Sequence, residues 1–414
     1  MRTIAVLLAA WTSLAGAQER ERLPVEQLRT FVEVYGAVRQ HYIRQLDHEV
    51  LIRNAIEGLV KSDPNAAYLS PEEFRELQAG PNPAVASIGV EVTEREGGLR
   101  IVSAMEGTPA FRAGLRPHDQ VLKVDGVGVQ DMRLAEAVKL LRGEPGSAVR
   151  LSIQRRGESA PREVDLVREV IRIQPVRSHL VNADVAYVRV MQFNEHAAGI
   201  VARHLSALLS RAEPKLLVLD VRASPGGLLR SCVASAALFL PDHAPVVRID
   251  GRTADSRREF RAAPEDYLAR GQADPRAALP AAARSVRMAV LVDSGTAAGS
   301  EFVAAALRDN RRAILVGEQT FGRGVVQTIF PLGANAGALK LTTGVYQSPG
   351  GVPFEGVGLR PDLSVAERVA PEDFGDEARD AVLRAAIDHF LGPRQRARPS
   401  TASAAPLVIS DSIF

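Results

Sequence analysis

The chain has a single cysteine among its 414 residues, and this shortage removes two kinds of architecture. An internal disulfide needs two cysteines, and a cysteine-rich zinc site needs more. Cys232 lies in an apolar run, so we interpret it as a small core residue. Histidine is also sparse, with eight scattered residues and no His-Glu-x-x-His pattern. We therefore expect neither a metal site nor a cofactor.

An excess of either charge is also lacking. The chain has 51 Lys and Arg residues against 49 Asp and Glu residues, a formal net charge of +2. A balance this even gives no general electrostatic reason to expect nucleic acid as a partner. Its content of 46% hydrophobic and 24% charged residues is ordinary for a globular protein. The length predicts two or three domains.

No apolar run reaches the about 20 residues that a membrane-spanning helix needs. At the N-terminus, Arg2, the apolar stretch 4–14 and Ala15-Gly16-Ala17 follow the order of a cleaved export signal. We expect residues 1–17 to be removed and the mature chain to begin at Gln18, in the periplasm or otherwise outside the cytoplasm. A retained membrane anchor is the alternative for this segment.

The first part of the mature chain has the spacing of helices. Apolar residues recur at helical intervals from Leu28 to Leu59. Ser62-Asp63-Pro64-Asn65 is a stop-and-turn signal, and Ser70-Pro71-Glu72-Glu73 has the cap and proline of a helix start. We interpret residues 18–82 as an N-terminal helical arm.

Two further regions follow a Pro-Asn-Pro linker. Residues 83–172 consist of short alternating strands. From 173 to 392 strands alternate with helices, which predicts an α/β core of βαβ units. The run from Lys215 to Val221 is nearly all apolar, so we expect it to be a central strand covered on both faces. We predict a long surface excursion over 254–286 and a disordered tail over 393–414.

The region of short strands resembles a PDZ domain. The matching motifs are Ser87-Ile88-Gly89-Val90, Gly107-Thr108-Pro109-Ala110, Ala113-Gly114-Leu115, Asp119-Gln120-Val121-Leu122 and Asp125-Gly126.

The PDZ resemblance implies recognition of protein or peptide C-termini. The loop Ser87-Ile88-Gly89-Val90 would offer N–H groups to a terminal carboxylate, and the peptide would add as an edge strand. Gly89 permits the tight loop, and Ile88 and Val90 can line an apolar pocket; a plain turn glycine is the alternative for Gly89. Arg142 matches a PDZ arginine that in some relatives couples peptide sensing to the active site, whereas here a surface arginine is the alternative.

Four motifs in the α/β region follow in a fixed order. They are Ser224-Pro225-Gly226-Gly227 after a strand, Ser294-Gly295-Thr296-Ala297-Ala298-Gly299-Ser300-Glu301, Thr320-Phe321-Gly322-Arg323-Gly324, and Leu339-Lys340-Leu341-Thr342-Thr343-Gly344. Together with the PDZ pattern they resemble the carboxyl-terminal processing peptidases, also called tail-specific proteases. The resemblance implies a crotonase-like (ClpP/crotonase) α/β core, preceded by a PDZ domain, and a serine peptidase with a Ser–Lys dyad.

The sequence departs from that family at both members of the dyad. The family's catalytic serine stands two residues before the final Ser-Glu, which places Ala298 at the nucleophile position. The family's lysine in Phe-Gly-Lys-Gly is replaced by Arg323. The glutamine that orients the lysine is kept as Gln327, the acidic residue of the following helix as Asp309, and Gly226 and Gly227 remain as the predicted oxyanion turn.

These two replacements remove the chemistry of the dyad. A methyl group has no electron pair with which to attack a carbonyl. The mechanism needs a neutral amine as base, and a guanidinium stays protonated because its pKa is above about 12. Loss of a nucleophile alone costs on the order of a millionfold in turnover. Arg323 could instead bind a peptide carboxylate with its planar fork, or form a salt bridge with a nearby acidic residue.

The sequence therefore favours an exported pseudopeptidase that binds peptides and acts as an adaptor or shield. Its partners would be protein C-termini, and its helical arm would contact a homo- or hetero-oligomer or a helical-repeat adaptor. One alternative is an active endopeptidase with a displaced nucleophile; Ser300, Ser294 and Thr296 are the candidates. A Ser-His-Asp triad using His196 or His204 is less favoured, since both lie on one predicted helix. Another alternative is a carrier of small lipophilic ligands.

Overall fold

The computed structural model describes residues 24–79, 86–95, 98–105, 107–130, 132, 134–171, 174–333, 336–367 and 369–393. The predicted export signal, the Pro-Asn-Pro linker and the tail from residue 394 lie outside these residues. Within them, no helix combines the length and the apolar character needed to cross a membrane.

The chain divides into two compact units, and the smaller one ends at Leu59. Its described part consists of two helices, α1 (Val25–His41) and α2 (His48–Val60), as the helical spacing predicts. The Tyr35 hydroxyl and His48 Nδ1 form a hydrogen bond between them. Leu28, Phe31 and Val32 are exposed on α1.

The larger unit begins with a short strand, β1 (Ala67–Leu69), followed by α3 (Pro71–Ala79). The Ser70 hydroxyl accepts the Glu73 N–H at 3.2 Å, and the Glu73 carboxylate accepts the Ser70 N–H at 2.8 Å, so the predicted helix start is a capping box. Strand β1 pairs with β16 (Ala338–Gln347) of the core. Assigning all of 18–82 to one helical arm was therefore wrong for β1, because three residues are too few to show strand alternation.

The PDZ region forms a six-stranded antiparallel sheet with strand order β2-β3-β4-β6-β7, and β5 pairs with β4. Its elements are β2 (Val90–Arg95), β3 (Gly98–Ala104), α4 (Pro109–Arg112), β4 (Gln120–Val124), β5 (Val127–Gly128), α5 (Leu134–Leu141), β6 (Ala148–Gln154) and β7 (Arg162–Val167). Ile88, Ile101 and Leu151 are fully buried in its core. Strand β2 stands at the edge of the sheet, so its outer side has no strand partner within the described residues.

The α/β core is a six-stranded sheet of order β17-β14-β13-β10-β9-β8, parallel except for β8. Helices cover both faces, and β10 is buried along its whole length, as predicted for a central strand. The elements are β8 (Val176–Asn182), β9 (Val185–Val190), α6 (Ala197–Leu209), β10 (Leu216–Asp220), α7 (Leu229–Ala237), β13 (Arg287–Val292), α10 (Gly299–Asp309), β14 (Ile314–Gly317), β17 (Leu363–Ser364) and α11 (Ala381–Leu391).

A third, antiparallel sheet has the order β1-β16-β11-β12, with β15 also paired to β16. The remaining elements are β11 (Pro245–Gly251), β12 (Arg258–Arg261), α8 (Pro264–Tyr267), α9 (Ala282–Ser285) and β15 (Val325–Pro331). The stretch 254–286, predicted as a surface excursion, is largely exposed, and it is anchored to the core at a few buried residues that include Phe260, Tyr267 and Ala283. These buried residues were not predicted, because the proline and arginine content of the stretch is typical of an exposed loop.

A buried charge network fixes the C-terminal end of β10. The Arg222 guanidinium donates to Asp220 and, at 3.0 and 2.6 Å, to both oxygens of Asp380 at the start of α11. Burial alone would raise the pKa of the Asp220 carboxyl, but the cations of Arg222 and Arg189 lower it overall. This network anchors the strand end from which the Pro-Gly-Gly turn departs.

Candidate active-site cleft

The Pro-Gly-Gly turn takes a path that only glycine allows. Gly226 and Gly227 have φ angles of 93° and 154°. A Cβ on Gly226 would lie 2.5 Å from the N atom of Gly299, and one on Gly227 would lie 2.3 Å from the Phe193 carbonyl oxygen. Within the described residues, the N–H groups of Gly227 and Gly299 donate to no protein acceptor. Two such donors beside a cleft suit the binding of an oxyanion.

Ala298 occupies the sharp turn between β13 and α10. Its backbone has φ 46° and ψ −114°, a conformation that costs a non-glycine residue on the order of 1–3 kcal/mol. In α/β-hydrolases such a strained turn presents the nucleophile. Ala298 lines a cleft of about 260 Å³ together with Gly226 and Gly227. The residue at the predicted nucleophile position therefore faces the predicted oxyanion turn.

Glu301 ties the predicted nucleophile and base positions together. Its Oε2 atom accepts the backbone N–H of Ala298 and that of Arg323, each at 2.9 Å. Its Oε1 atom accepts the Gly322 N–H at 2.9 Å and the Thr320 hydroxyl at 2.5 Å. Burial raises the pKa of the Glu301 carboxyl, and these hydrogen bonds oppose that rise. This role of Glu301 was not predicted from the sequence. A glutamate three residues after a helix cap is typical of a side chain that accepts the backbone N–H of the cap residue.

Arg323 forms an ion pair with Glu91 of strand β2. Burial raises the pKa of the Glu91 carboxyl, and the neighbouring guanidinium opposes the rise. Of the two alternatives for Arg323, the structure shows the salt bridge, in which Nη1 of the guanidinium contacts Oε1 of Glu91. The role of Glu91 was not predicted from the sequence, because its partner lies 232 residues away.

Gln327 and Lys340 also line the cleft. The Gln327 amide Nε2 donates to the Thr342 hydroxyl at 2.5 Å, and the Thr342 N–H donates to Asp63 at 3.0 Å. The buried Oε1 atom of Gln327 has no hydrogen-bond partner in the described part of the chain. An acceptor in this position is suited to an ammonium group, which Arg323 does not supply. Lys340, for which the sequence predicted no role, also brings an ammonium group to the cleft.

The alternative nucleophiles do not face the cleft. Ser300 is fully buried, and its hydroxyl donates to Ser224 Oγ at 2.8 Å. The buried Thr296 hydroxyl donates to the Val221 carbonyl oxygen at 2.9 Å. Neither residue, nor Ser294, is among those that line the cleft.

Asp309 and the two histidines lie elsewhere. Asp309 ends α10, about 16 Å along the helix from Ala298, and accepts the Gly350 N–H at 2.9 Å. His196 is exposed and lies 3.2 Å from Glu195. His204 is buried, as the apolar pattern suggested, and shares a 2.8 Å hydrogen bond with the buried Ser178.

The predicted carboxylate-binding loop precedes β2. Gly89 has φ 80°, and a Cβ there would lie 2.2 Å from the side chain of Thr108. Within the described residues, the N–H groups of Ile88 and Gly89 donate to no protein acceptor. The Ile88 side chain is fully buried in the domain core, so of the predicted pocket residues only Val90 is partly open.

The other two residues predicted to bind a peptide, Ser87 and Arg142, do not add to the open N–H groups of Ile88 and Gly89. Ser87 is paired with Glu169 through two backbone hydrogen bonds, of 2.9 and 3.0 Å, so its N–H is already used. Arg142 is exposed at the end of α5 and does not line the cleft.

The PDZ region is docked directly over the cleft. Glu91 and Thr93 of β2 and Leu134 of α5 line the same cavity as Ala298. The Ser103 hydroxyl donates to the Ala223 carbonyl oxygen at 2.7 Å, and the His118 ring stacks on Phe321 at 4.7 Å between centroids. The edge strand that a peptide would join therefore forms one wall of the cleft.

Among the described residues, no group of three or more His, Cys, Asp or Glu side chains could hold a metal ion. Fold and cleft together define a PDZ-bearing α/β protein of the peptidase class.

Comparisons with known proteins identify the family. Residues 184–365 match the model of peptidase family S41, and residues 86–166 match the PDZ domain. The chain is 34% identical to a carboxy-terminal-processing protease of Bartonella bacilliformis, covering 86% of this chain and 78% of the relative. It is 33% identical to a carboxyl-terminal-processing protease of Synechocystis, covering 81% and 78%.

Solved structures agree. The photosystem II D1 C-terminal processing protease aligns with a TM-score of 0.68 at 27% identity, covering 89% of this chain and 97% of that one. The chain belongs to peptidase family S41 and is homologous to its carboxy-terminal processing proteases. The predicted fold, the α/β core of a carboxyl-terminal processing peptidase with a PDZ domain, is confirmed.

Proposed function

We propose that this protein is an exported pseudopeptidase that binds the C-termini of proteins or peptides and does not cleave them. The observation that carries the proposal is the occupancy of the two dyad positions. A methyl group faces the Pro-Gly-Gly turn at position 298. A permanently charged guanidinium, engaged by Glu91, stands at position 323.

Binding is assigned to the PDZ domain and the adjoining cleft. The loop before β2 presents free N–H groups of Ile88 and Gly89 within the described residues, and β2 has an open edge. An extended peptide can add to such an edge through main-chain hydrogen bonds. Because Glu91 lies on that strand and pairs with Arg323, we propose that this ion pair holds the PDZ domain closed over the cleft.

The experiment compares two forms of one peptide. A fluorescent peptide with a free C-terminus is titrated against the protein, and the same peptide with an amidated C-terminus is the control. We expect the free form to bind more tightly, and mass spectrometry to find it intact after prolonged incubation. Equal affinity of the two forms would contradict carboxylate recognition, and cleavage of the free peptide would contradict the pseudopeptidase assignment.

An active endopeptidase is a second candidate, because the cleft keeps its architecture. The strained turn at Ala298, the Glu301 hydrogen bonds and the free N–H groups of Gly227 and Gly299 are what peptide cleavage would need around a nucleophile. Product formation by the unaltered protein at a rate unaffected by restoring the dyad would favour this candidate.

We further propose that helices α1 and α2 mediate assembly with a second copy or with a helical-repeat adaptor. Neither helix has a buried residue, and Leu28, Phe31 and Val32 are exposed on α1. Light scattering after size-exclusion chromatography tests this, with Phe31→Ser expected to shift any oligomer toward monomer. A wild-type protein that is monomeric at high concentration would contradict self-assembly.

A further inference from the structure

A second cavity, of about 800 Å³, lies beside the cleft. This volume is within the range of pockets that bind small ligands or peptide side chains. Leu228 lines the cavity and the next residue, Leu229, lines the cleft. Leu228 directly follows Gly227 and Leu229 comes next, so the start of α7 lines the cavity on one side and the cleft on the other.

The floor of the cavity is apolar and made spacious by small residues. Val176, Ala198, Ala234 and Tyr267 line it and are buried. Gly199, on the first turn of α6, also lines it, and a Cβ there would meet nothing closer than Arg203 Nη1 at 4.0 Å. The floor therefore suits apolar side chains.

The mouth of the cavity carries a positive charge. Arg203 and Arg230 are both lining residues and both are exposed. Among the described lining residues Glu195 is the one carboxylate, and it lies 3.2 Å from the His196 ring. The Arg230 guanidinium forms no ion pair within the described residues, and it favours an anionic ligand at the mouth.

We propose that this cavity is a second peptide subsite, which binds an apolar and acidic segment of the same polypeptide whose C-terminus the PDZ domain holds. Apolar side chains of the segment would occupy the floor, and its carboxylates would lie against Arg230. This inference rests on the proposed function, and it adds a sequence preference upstream of the bound C-terminus.

The test uses peptides that share one C-terminal sequence. A short peptide contains only that sequence; two long peptides of about twelve residues, with an extended reach of about 40 Å, add an upstream segment of leucines with either glutamates or glutamines. Fluorescence anisotropy gives each affinity. We expect the glutamate peptide to bind most tightly, and Arg230→Gln to weaken its binding about fivefold while leaving the short peptide unchanged. Arg211→Gln, an exposed arginine at the far end of α6, is the matched control.

A second variant probes the floor. Gly199→Leu places a side chain into the cavity without a backbone clash, so it should weaken both long peptides and spare the short one. If the short peptide binds but upstream segments add nothing, or neither variant has an effect, the subsite is refuted while C-terminal recognition stands. If no peptide binds, both proposals fail. A lipophilic molecule retained in the cavity in native mass spectrometry, and lost in Gly199→Leu, would show a ligand of another class and also overturn the subsite.

Discussion

The backbone N–H groups of Ala298 and Arg323 donate to one carboxylate oxygen, Oε2 of Glu301, at 2.9 Å each. The predicted nucleophile and base positions are thus held by the same buried side chain. These hydrogen bonds use backbone N–H groups, so they do not depend on which side chains stand at positions 298 and 323. This makes the function of the cleft testable by exchanging two side chains.

Breaking the ion pair between Arg323 and Glu91 should loosen the PDZ domain from the core. Both side chains are partly exposed, so the pair contributes about 1 kcal/mol or less. We expect Arg323→Ala to increase hydrogen exchange of the β2 and β3 amides and to change the affinity for a C-terminal peptide by up to about fivefold. Arg150→Ala, which breaks the exposed Arg150–Asp165 pair inside the PDZ sheet, is the control. An equal rise in hydrogen exchange in both variants would contradict the proposal that the Arg323–Glu91 ion pair holds the PDZ domain on the core.

The sulfur atom of Cys232 leaves no room for a side chain at position 299. A Cβ on Gly299 would lie 2.5 Å from Cys232 Sγ. We expect Gly299→Ala to lower the free energy of unfolding in urea by about 1–3 kcal/mol. Adding Cys232→Ala should recover most of that loss, since it removes the sulfur. Gly199→Ala, in an open part of α6, should be neutral or stabilising. Additive effects of the two substitutions would contradict the contact.

Burial of Cys232 also determines its reactivity. The thiol is fully buried, and burial raises its pKa well above the ordinary value. Because the thiolate is the reactive form, we expect no labelling by a thiol reagent in the folded protein at neutral pH and full labelling in denaturant. Rapid labelling of the native protein would place the sulfur at the surface.

Asp63 should contribute stability that depends on pH. Burial would raise the pKa of its carboxyl, but hydrogen bonds from Thr342 and Asn65 lower it overall. A carboxylate whose pKa is lower in the folded state stabilises the fold above its ordinary value of about 4, and this stabilisation disappears as the pH falls through the folded pKa. Asp63→Asn should therefore cost about 1 kcal/mol at pH 7, and the difference from wild type should shrink in acid. A difference independent of pH would contradict the assignment.

The sequence predicted what depends on local pattern. Central strand β10 and the helix start at Ser70 follow from periodicity and from caps. What it did not predict concerns contacts across distance. Strand β1 is too short to be recognised without its partner β16. The stretch 254–286 is anchored by isolated residues such as Phe260 and Ala283.

The same limit explains what was missed in the cleft. Glu91 and Arg323 are 232 residues apart and meet only because the PDZ domain docks on the core. Lys340 reaches the cleft from β16, whose neighbours are set by sheet register. Conversely, Ser300 and Asp309 looked suitable by type, but the helix carries the first into the core and the second to its far end.

We propose that this cleft has no nucleophile at position 298 and no amine base at position 323, while the backbone hydrogen bonds around both positions are kept. The most direct test measures cleavage of a free C-terminal peptide by the wild type, by Ala298→Ser and Arg323→Lys alone, and by the double variant. We expect no product from the wild type or either single variant, and turnover from the double variant, because the lysine introduced at position 323 would lie near the Oε1 atom of Gln327, which has no hydrogen-bond partner within the described residues. Cleavage by the wild type as fast as by the double variant would contradict it.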